Sequence, residues 1–221
     1  MKYIFMLLLC AITHEQASVN VNLFTQKEEF EIPLTEDLMR EHGILNRILL
    51  IYEEIIKRID NDTDFEIKLL NDAVTIIKSF IQGYHEKLEE DYLFPLFEKN
   101  KKEVTLVKTL KNQHAKGRKI TAQLQIVFSG KIDRTAKQSI KILLQKFIKM
   151  YRPHEAREDT ILFPQVRSLL SEKEFKELSK KFDDLEDKLF GKNGFENMVK
   201  KIESIEKALN IYNLDLFTPQ I

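Results

Sequence analysis

Residues 85–95 read HEKLEEDYLFP and residues 154–164 read HEAREDTILFP, one pattern, H-E-x-x-E-[ED]-x-x-L-F-P, written twice. In each copy a glutamate follows a histidine by four residues: Glu89 after His85, and Glu158 after His154. On a helix that spacing puts both side chains on one face, with Cβ atoms about 5–6 Å apart. An imidazole and a carboxylate so placed can share a metal ion. The zinc-protease pattern HExxH is excluded, because both copies end in glutamate where it requires histidine. Two further histidines, His42 and His114, precede the two strings by 43 and 40 residues.

The elements that must position these groups are long amphipathic helices. Leu38, His42, Leu45, Leu49, Tyr52, Ile56 and Ile59 recur in steps of four and three, the signature of one helix face, with Thr35 as the expected N-cap. Val74, Ile77, Ile81, His85, Leu88 and Tyr92 form a second stripe. A third runs Val107, Leu110, His114, Gly117, Thr121, Leu124, Phe128, and Ser129-Gly130 stops it. The fourth is Ile140, Leu144, Phe147, Tyr151, His154, Glu158, Ile161, with Pro153 and Pro164 inside it and a kink or a short break expected near Pro153. Leu93-Phe94-Pro95 and Leu162-Phe163-Pro164 read as the points where two helices leave the bundle. The fold class is therefore all-α: an antiparallel four-helix bundle over residues 34–168, built from two matching halves. Two extra C-terminal helices are expected over residues 171–221. Ser171 and Glu174 have capping-box spacing, and Gly191-Lys192-Asn193-Gly194 divides the pair. This tail reads as a packed cover or an oligomer contact.

Each of the four histidines falls on its own helix at a place where the stripe demands a core side chain. Burying carboxylates without a partner costs several kcal/mol each, so the set makes a poor core unless cations lie among it. His42, His85, Glu89, His114, His154 and Glu158 are thus the expected metal ligands. Six donors exceed a tetrahedral zinc site. They suit two metals, each with two imidazoles and a share of two bridging carboxylates, completed by a bridging oxide or hydroxide. Nitrogen and oxygen donors without sulfur suit iron or manganese, with zinc as a misloaded alternative. Glu86 and Glu155 point away and read as surface groups or as supports behind the ligands; Glu90, Asp91 and Asp159 read as solvated. No catalytic group beyond the ligands is evident.

Composition narrows the classes further. Lys+Arg and Asp+Glu each number 35 in 221 residues, so there is no overall basic field for nucleic acid, and no Arg/Lys stripe stands out. The only cysteine is Cys10, which leaves no thiolate chemistry in the bundle. Residues 1–18 have the shape of a signal peptide: Lys2, an apolar run from Ile4 to Ile12, then small polar residues. The expected location is periplasmic or secreted if that segment is a leader, and cytoplasmic otherwise. No other stretch is long and apolar enough for an integral membrane span.

His42, the HxxxE pairs His85/Glu89 and His154/Glu158, and His114 resemble the hemerythrin-like HHE cation-binding family over residues 34–168. Arg40-Glu41-His42-Gly43, the two strings and Gln113-His114 carry the resemblance. It implies a non-haem di-iron centre that binds O₂, nitric oxide or peroxide; a six-donor set with positions to spare adds the expectation of binding or reducing such a ligand in oxidative or nitrosative stress defence. The four-His, two-Glu set is similar to the repair-of-iron-centres branch, without that branch's N-terminal domain. Oxygen-carrying hemerythrins place a second histidine four after the third-helix one; here that position is Arg118. A sensing protein, and then iron storage, are the alternatives.

Overall fold

The computed structural model describes residues 33–220, so the expected leader lies outside the described residues. Helix α1 is Leu34–Asp60, α2 spans residues 67–99, α3 is Val104–Phe128 and α4 spans residues 134–169. No strand occurs among the described residues. The four helices close a ring in which α1 and α3 each pack on both α2 and α4. Neighbours run in opposite directions. Lys78 meets Gln125 while Lys111 meets Glu98, so α2 and α3 are antiparallel. His154 meets Gln113 while Tyr151 meets Gly117, which does the same for α3 and α4. His42 meets Asp159 and Tyr52 meets Phe147, reversing α1 against α4.

The stripes form the core as their periodicity requires. Leu45, Leu49, Ile77, Leu110, Leu124, Leu144 and Phe147 are all buried, and each such side chain contributes roughly 1.5–3 kcal/mol through lost apolar surface. The first helix starts one residue before the expected cap: Pro33 stands at the N-cap and no side chain caps it. Pro's fixed φ and missing N–H suit a helix entrance, where that N–H would be unpaired anyway.

The larger departure lies in the strings themselves. Neither LFP segment leaves the bundle, and α4 runs through Pro153 without a break. Instead, residues Glu89–Leu93 and Glu158–Leu162 are wide turns with i to i+5 bonding, and a third covers Ile77–His85. Phe94 N–H donates to Glu89 O, and Phe163 N–H to Glu158 O. A proline follows immediately in both copies, where the widened turn accommodates a ring that a regular α-turn would clash with. The extra residue also shifts the helix phase. The stripes pointed to Tyr92 and Ile161 as core positions; the buried residues are Leu93 and Leu162, and the other two are only partly covered.

The tail belongs to the same compact unit. Helix α5 (Glu172–Phe190) opens with the Ser171–Glu174 capping box, and Gly191 ends it at φ +76°, a left-handed conformation that glycine adopts freely. Helix α6 (Gly194–Ala208) buries Met198, Ile202 and Ile205. Arg47 of α1 grips Glu206 with two bonds of 2.9 and 2.5 Å, and Phe190 packs edge-on to Tyr84 of α2.

Candidate metal centre

The ring of helices brings all six expected donors together, each at most 3% exposed. His42 comes from α1, His85 and Glu89 from α2, His114 from α3, and His154 and Glu158 from α4. The imidazoles form two facing pairs. Nε2 of His42 lies 3.1 Å from Nε2 of His85, and Nε2 of His114 lies 3.1 Å from Nε2 of His154. Each carboxylate reaches both pairs. Glu89 Oε2 is 3.7 Å from His85 and 3.4 Å from His114. Glu158 Oε2 is 3.5 Å from His42 and 3.1 Å from His154. Two triads, His42/His85/Glu89 and His114/His154/Glu158, each have donor atoms within 4.8 Å of one another.

The outer nitrogens explain the orientation of the rings. His42 Nδ1 stands 2.7 Å from Asp159 Oδ1, and His85 Nδ1 stands 2.6 Å from Glu41 Oε2. His114 Nδ1 is 3.1 Å from Glu90 Oε1, and His154 Nδ1 is 2.9 Å from Gln113 Oε1. An ionised carboxylate and an amide oxygen can only accept, so His42, His114 and His154 donate from Nδ1; burial, and then Asp37, raise the Glu41 carboxyl well above its usual range, and its contact with Nδ1 still turns the Nε2 of His85 inward. Phe163 stacks on His42 at 5.5 Å and Phe94 stacks on His114 at 5.6 Å. The repeated string therefore has a double assignment. Its His and Glu face the centre, while its sixth and tenth residues, Glu90 and Phe94 or Asp159 and Phe163, orient the lone histidine of a neighbouring helix. Phe94 and Phe163 lie nine residues beyond their own string histidines, about half a turn round a regular helix; the wide turn rotates them back.

These outer partners correct the sequence reading. Glu90 and Asp159 are not simply solvated: both are partly covered and hold imidazoles, whereas Asp91 is exposed. Glu86 and Glu155 are not surface groups, at 1% and 4% exposure. Glu41 and Gln113 had no role assigned from sequence; the signal was their shared place immediately before the lone histidines.

The two inner carboxylates differ in how far their neighbours relieve them. All four carboxylate oxygens of Glu89 and Glu158 are buried without a hydrogen-bond partner. Burial, and then the charge of Glu158, push the Glu89 carboxyl well above its usual range. Burial alone would raise Glu158 too, but His154 and His42 hold it well below that range. Burial acts to lower His42, yet its bonds to Asp159 and Glu158 outweigh that and raise it to about 10. Burial, and then His42, push His85 well down. Protons are thus retained where a cation would satisfy the same lone pairs. Four inward imidazole nitrogens and two buried carboxylates are donors of the types that bind metal ions.

A polar network flanks the centre on the α2–α3 side. Tyr151 Oη donates to Glu86 Oε1 at 2.6 Å, Arg118 donates to Glu86 and Glu90 at 2.6 Å each, and Gln82 donates to Thr121 at 2.9 Å. Gly117 makes room for Tyr151: a Cβ there would lie 1.9 Å from its Oη. Burial, and then Glu86, raise the Tyr151 hydroxyl well above the ordinary phenol value, so it stays a donor.

The profile of the hemerythrin HHE cation-binding domain matches residues 34–166, which is the ring of four helices with its six donors. The chain belongs to the hemerythrin HHE cation-binding family. An uncharacterized protein of Mycobacterium bovis and another of Mycobacterium tuberculosis are each 42% identical to it over 195 residues, covering 86% of this chain and 76% of theirs. That share exceeds the first 166 residues, so the similarity includes part of the tail. No solved structure matches. As a family member with two buried His/Glu clusters, the chain has the features of a metal-binding domain. No helix among the described residues is long and apolar enough to cross a membrane.

Proposed function

We propose that this chain is a non-haem di-iron protein that binds or reduces O₂, nitric oxide or peroxide, in defence against oxidative or nitrosative stress. The observation that carries the reading is the pairing of the donors: two imidazoles on each side, with Glu89 and Glu158 each reaching both sides. His42 and His85 would hold one iron, His114 and His154 the other, and the two glutamates would bridge. Iron bound there supplies electrons and open coordination positions for a small ligand. The chain's own residues do the rest. Asp159, Glu41, Glu90 and Gln113 fix the rings, and the Phe94 and Phe163 stacks exclude water. Iron is proposed over manganese and zinc because the donors are nitrogen and oxygen and the family is hemerythrin-like. Anaerobic loading with ferrous iron, followed by stopped-flow mixing with O₂, nitric oxide and hydrogen peroxide, tests this. A new absorption band with at least one of them is expected; no spectral change with any would contradict the reading.

A sensing role has one specific support. Glu41, which holds His85, shares an acidic cluster with Asp37 and with Glu186 of tail helix α5. Occupancy at the centre could therefore be felt in the tail. Ligand-dependent protection of residues 171–220 from hydrogen exchange, without repeated turnover, would favour this second reading.

A further inference from the structure

The zero net charge of the chain conceals a division. Residues 101–152, which form α3 and most of α4, hold fourteen lysines and arginines against only Glu103 and Asp133, a local charge of +12. The remainder of the chain is negative by the same amount. This corrects the expectation that no basic stripe exists. The charges are dispersed along two helices and become one surface only when those helices pack antiparallel. The register of that packing is set by Gln113 against His154 and Gly117 against Tyr151. It brings Lys119 level with Lys149.

The surface has a defined make-up. Several of its cations are already engaged, Arg118 by Glu86 and Glu90, Lys141 by Asp60, and Arg152 by Glu53. Lys116, Lys119, Lys146 and Lys149 are exposed and make no ion pair with any described residue. They continue the two edges of a groove between α3 and α4 whose far end is apolar. There Ile126 is 70% and Ile142 is 50% exposed. Beside the lysines, partly covered Gln113 bonds directly to His154. One side chain therefore separates this surface from the donor set, although the donors themselves are sealed.

We propose that the α3–α4 face is the docking site for an acidic one-electron carrier protein, an iron–sulfur or flavin protein. This rests on the reading under Proposed function, because reduction of a small ligand in a sealed site requires electrons from outside. Each encounter oxidises one carrier by one electron. Two encounters supply the pair that, with two protons, turns one hydrogen peroxide into two waters. The composition of the face selects this partner. The unpaired cations along its groove, Lys116, Lys119, Lys146 and Lys149, are lysines, which steer an acidic surface without the bidentate phosphate grip for which arginine is suited. Two isoleucines beside a charged rim suit a small transient protein interface. They are too few for the broad apolar face of a helix that lies in a bilayer.

The test compares the wild type with a variant carrying Lys116→Glu, Lys119→Glu, Lys146→Glu and Lys149→Glu. A control variant carries the same charge change on exposed tail residues, Lys173→Glu, Lys176→Glu, Lys192→Glu and Lys200→Glu. The oxidised, iron-loaded proteins are reduced by a plant-type ferredoxin and, separately, by a neutral quinol. Ferredoxin association with the metal-free proteins is measured by calorimetry. The α3–α4 variant should lose about ten- to a hundredfold in ferredoxin-driven rate at low salt, and the wild-type rate should fall as salt rises. Quinol rates should be unchanged, and the control variant should behave as wild type. Equal ferredoxin rates and equal calorimetric binding in wild type and α3–α4 variant would overturn the proposal. So would tighter binding of the wild type to phosphatidylserine vesicles or duplex DNA than to ferredoxin, lost in the same variant. If quinol reduces no form of the protein, the redox reading of the centre fails, while the calorimetry still decides the docking surface.

Discussion

His42 and His114 occupy corresponding places in the two halves of the bundle, yet different chemistry stands behind them. The pair His42/His85 is backed by two carboxylates, Asp159 and Glu41. The pair His114/His154 is backed by Glu90, which also accepts from Arg118, and by the neutral amide of Gln113. A carboxyl group and a neutral amide behind an imidazole tune its donor strength differently. The two halves thus share their inner atoms but differ in the groups behind them, and the two metal positions of the proposed centre are unequal. The halves also differ in packing. Three residues after its lone histidine the first half has Leu45, and the second has Gly117, whose missing side chain lets the Tyr151 hydroxyl in.

The sharpest way to break the comparison is to remove what the halves share. Glu89→Ala or Glu158→Ala takes a carboxylate from both pairs at once, and bound metal should fall from two ions per chain to fewer than one by elemental analysis. Retention of both ions would mean that neither glutamate bridges. Next come substitutions that exchange the outer shells. Glu41→Gln should weaken one ion about 10–100-fold in chelator competition, and Gln113→Glu should tighten the other, so that the two affinities converge. Equal shifts in both ions would dissolve the inequality.

Smaller effects follow from the glycines. Gly117→Ala forces a Cβ against Tyr151 and should cost about 1–3 kcal/mol by denaturant unfolding. Gly43→Ala meets no neighbour within 4 Å on α1 and should gain about 0.5–1 kcal/mol. The smallest effect is on pH dependence. His42 is raised to about 10 in the metal-free fold, so its protonation contributes stability that is complete below the unfolded value of about 6.5 and is lost as pH rises through the folded one. A cation at Nε2 removes that titration. The gap in thermal midpoint between loaded and metal-free protein should widen from neutral to alkaline pH, and a gap that narrows would contradict the assignment.

The sequence carried the inner centre because helix period and residue type agree there. His42, His85, His114, His154, Glu89 and Glu158 are polar residues on or beside apolar stripes, and only a shared interior explains them together. The outer shell was less legible, for a geometric reason. Glu90, Phe94, Asp159 and Phe163 act across to another helix and depend on wide turns, which leave no simple mark in a 3.6-residue pattern. Pro95 and Pro164 are residues that a widened turn admits, but in the sequence the LFP segments read as the points where two helices leave the bundle. Glu41 and Gln113 could have been noticed as a matched pair, but nothing in their types revealed that they reach a histidine on a different helix. The basic face escaped because its lysines are separated in sequence and unite only in the antiparallel register.

The central claim is that two metal ions lie between Glu89 and Glu158, each held by one facing pair of imidazoles. The most direct test is a crystal structure of anaerobically iron-loaded protein, with anomalous data collected at the iron edge. Two peaks are expected, one against Nε2 of His42 and His85 and one against Nε2 of His114 and His154, with both carboxylates spanning them. A single peak, or peaks that leave either imidazole pair unengaged, would contradict the account.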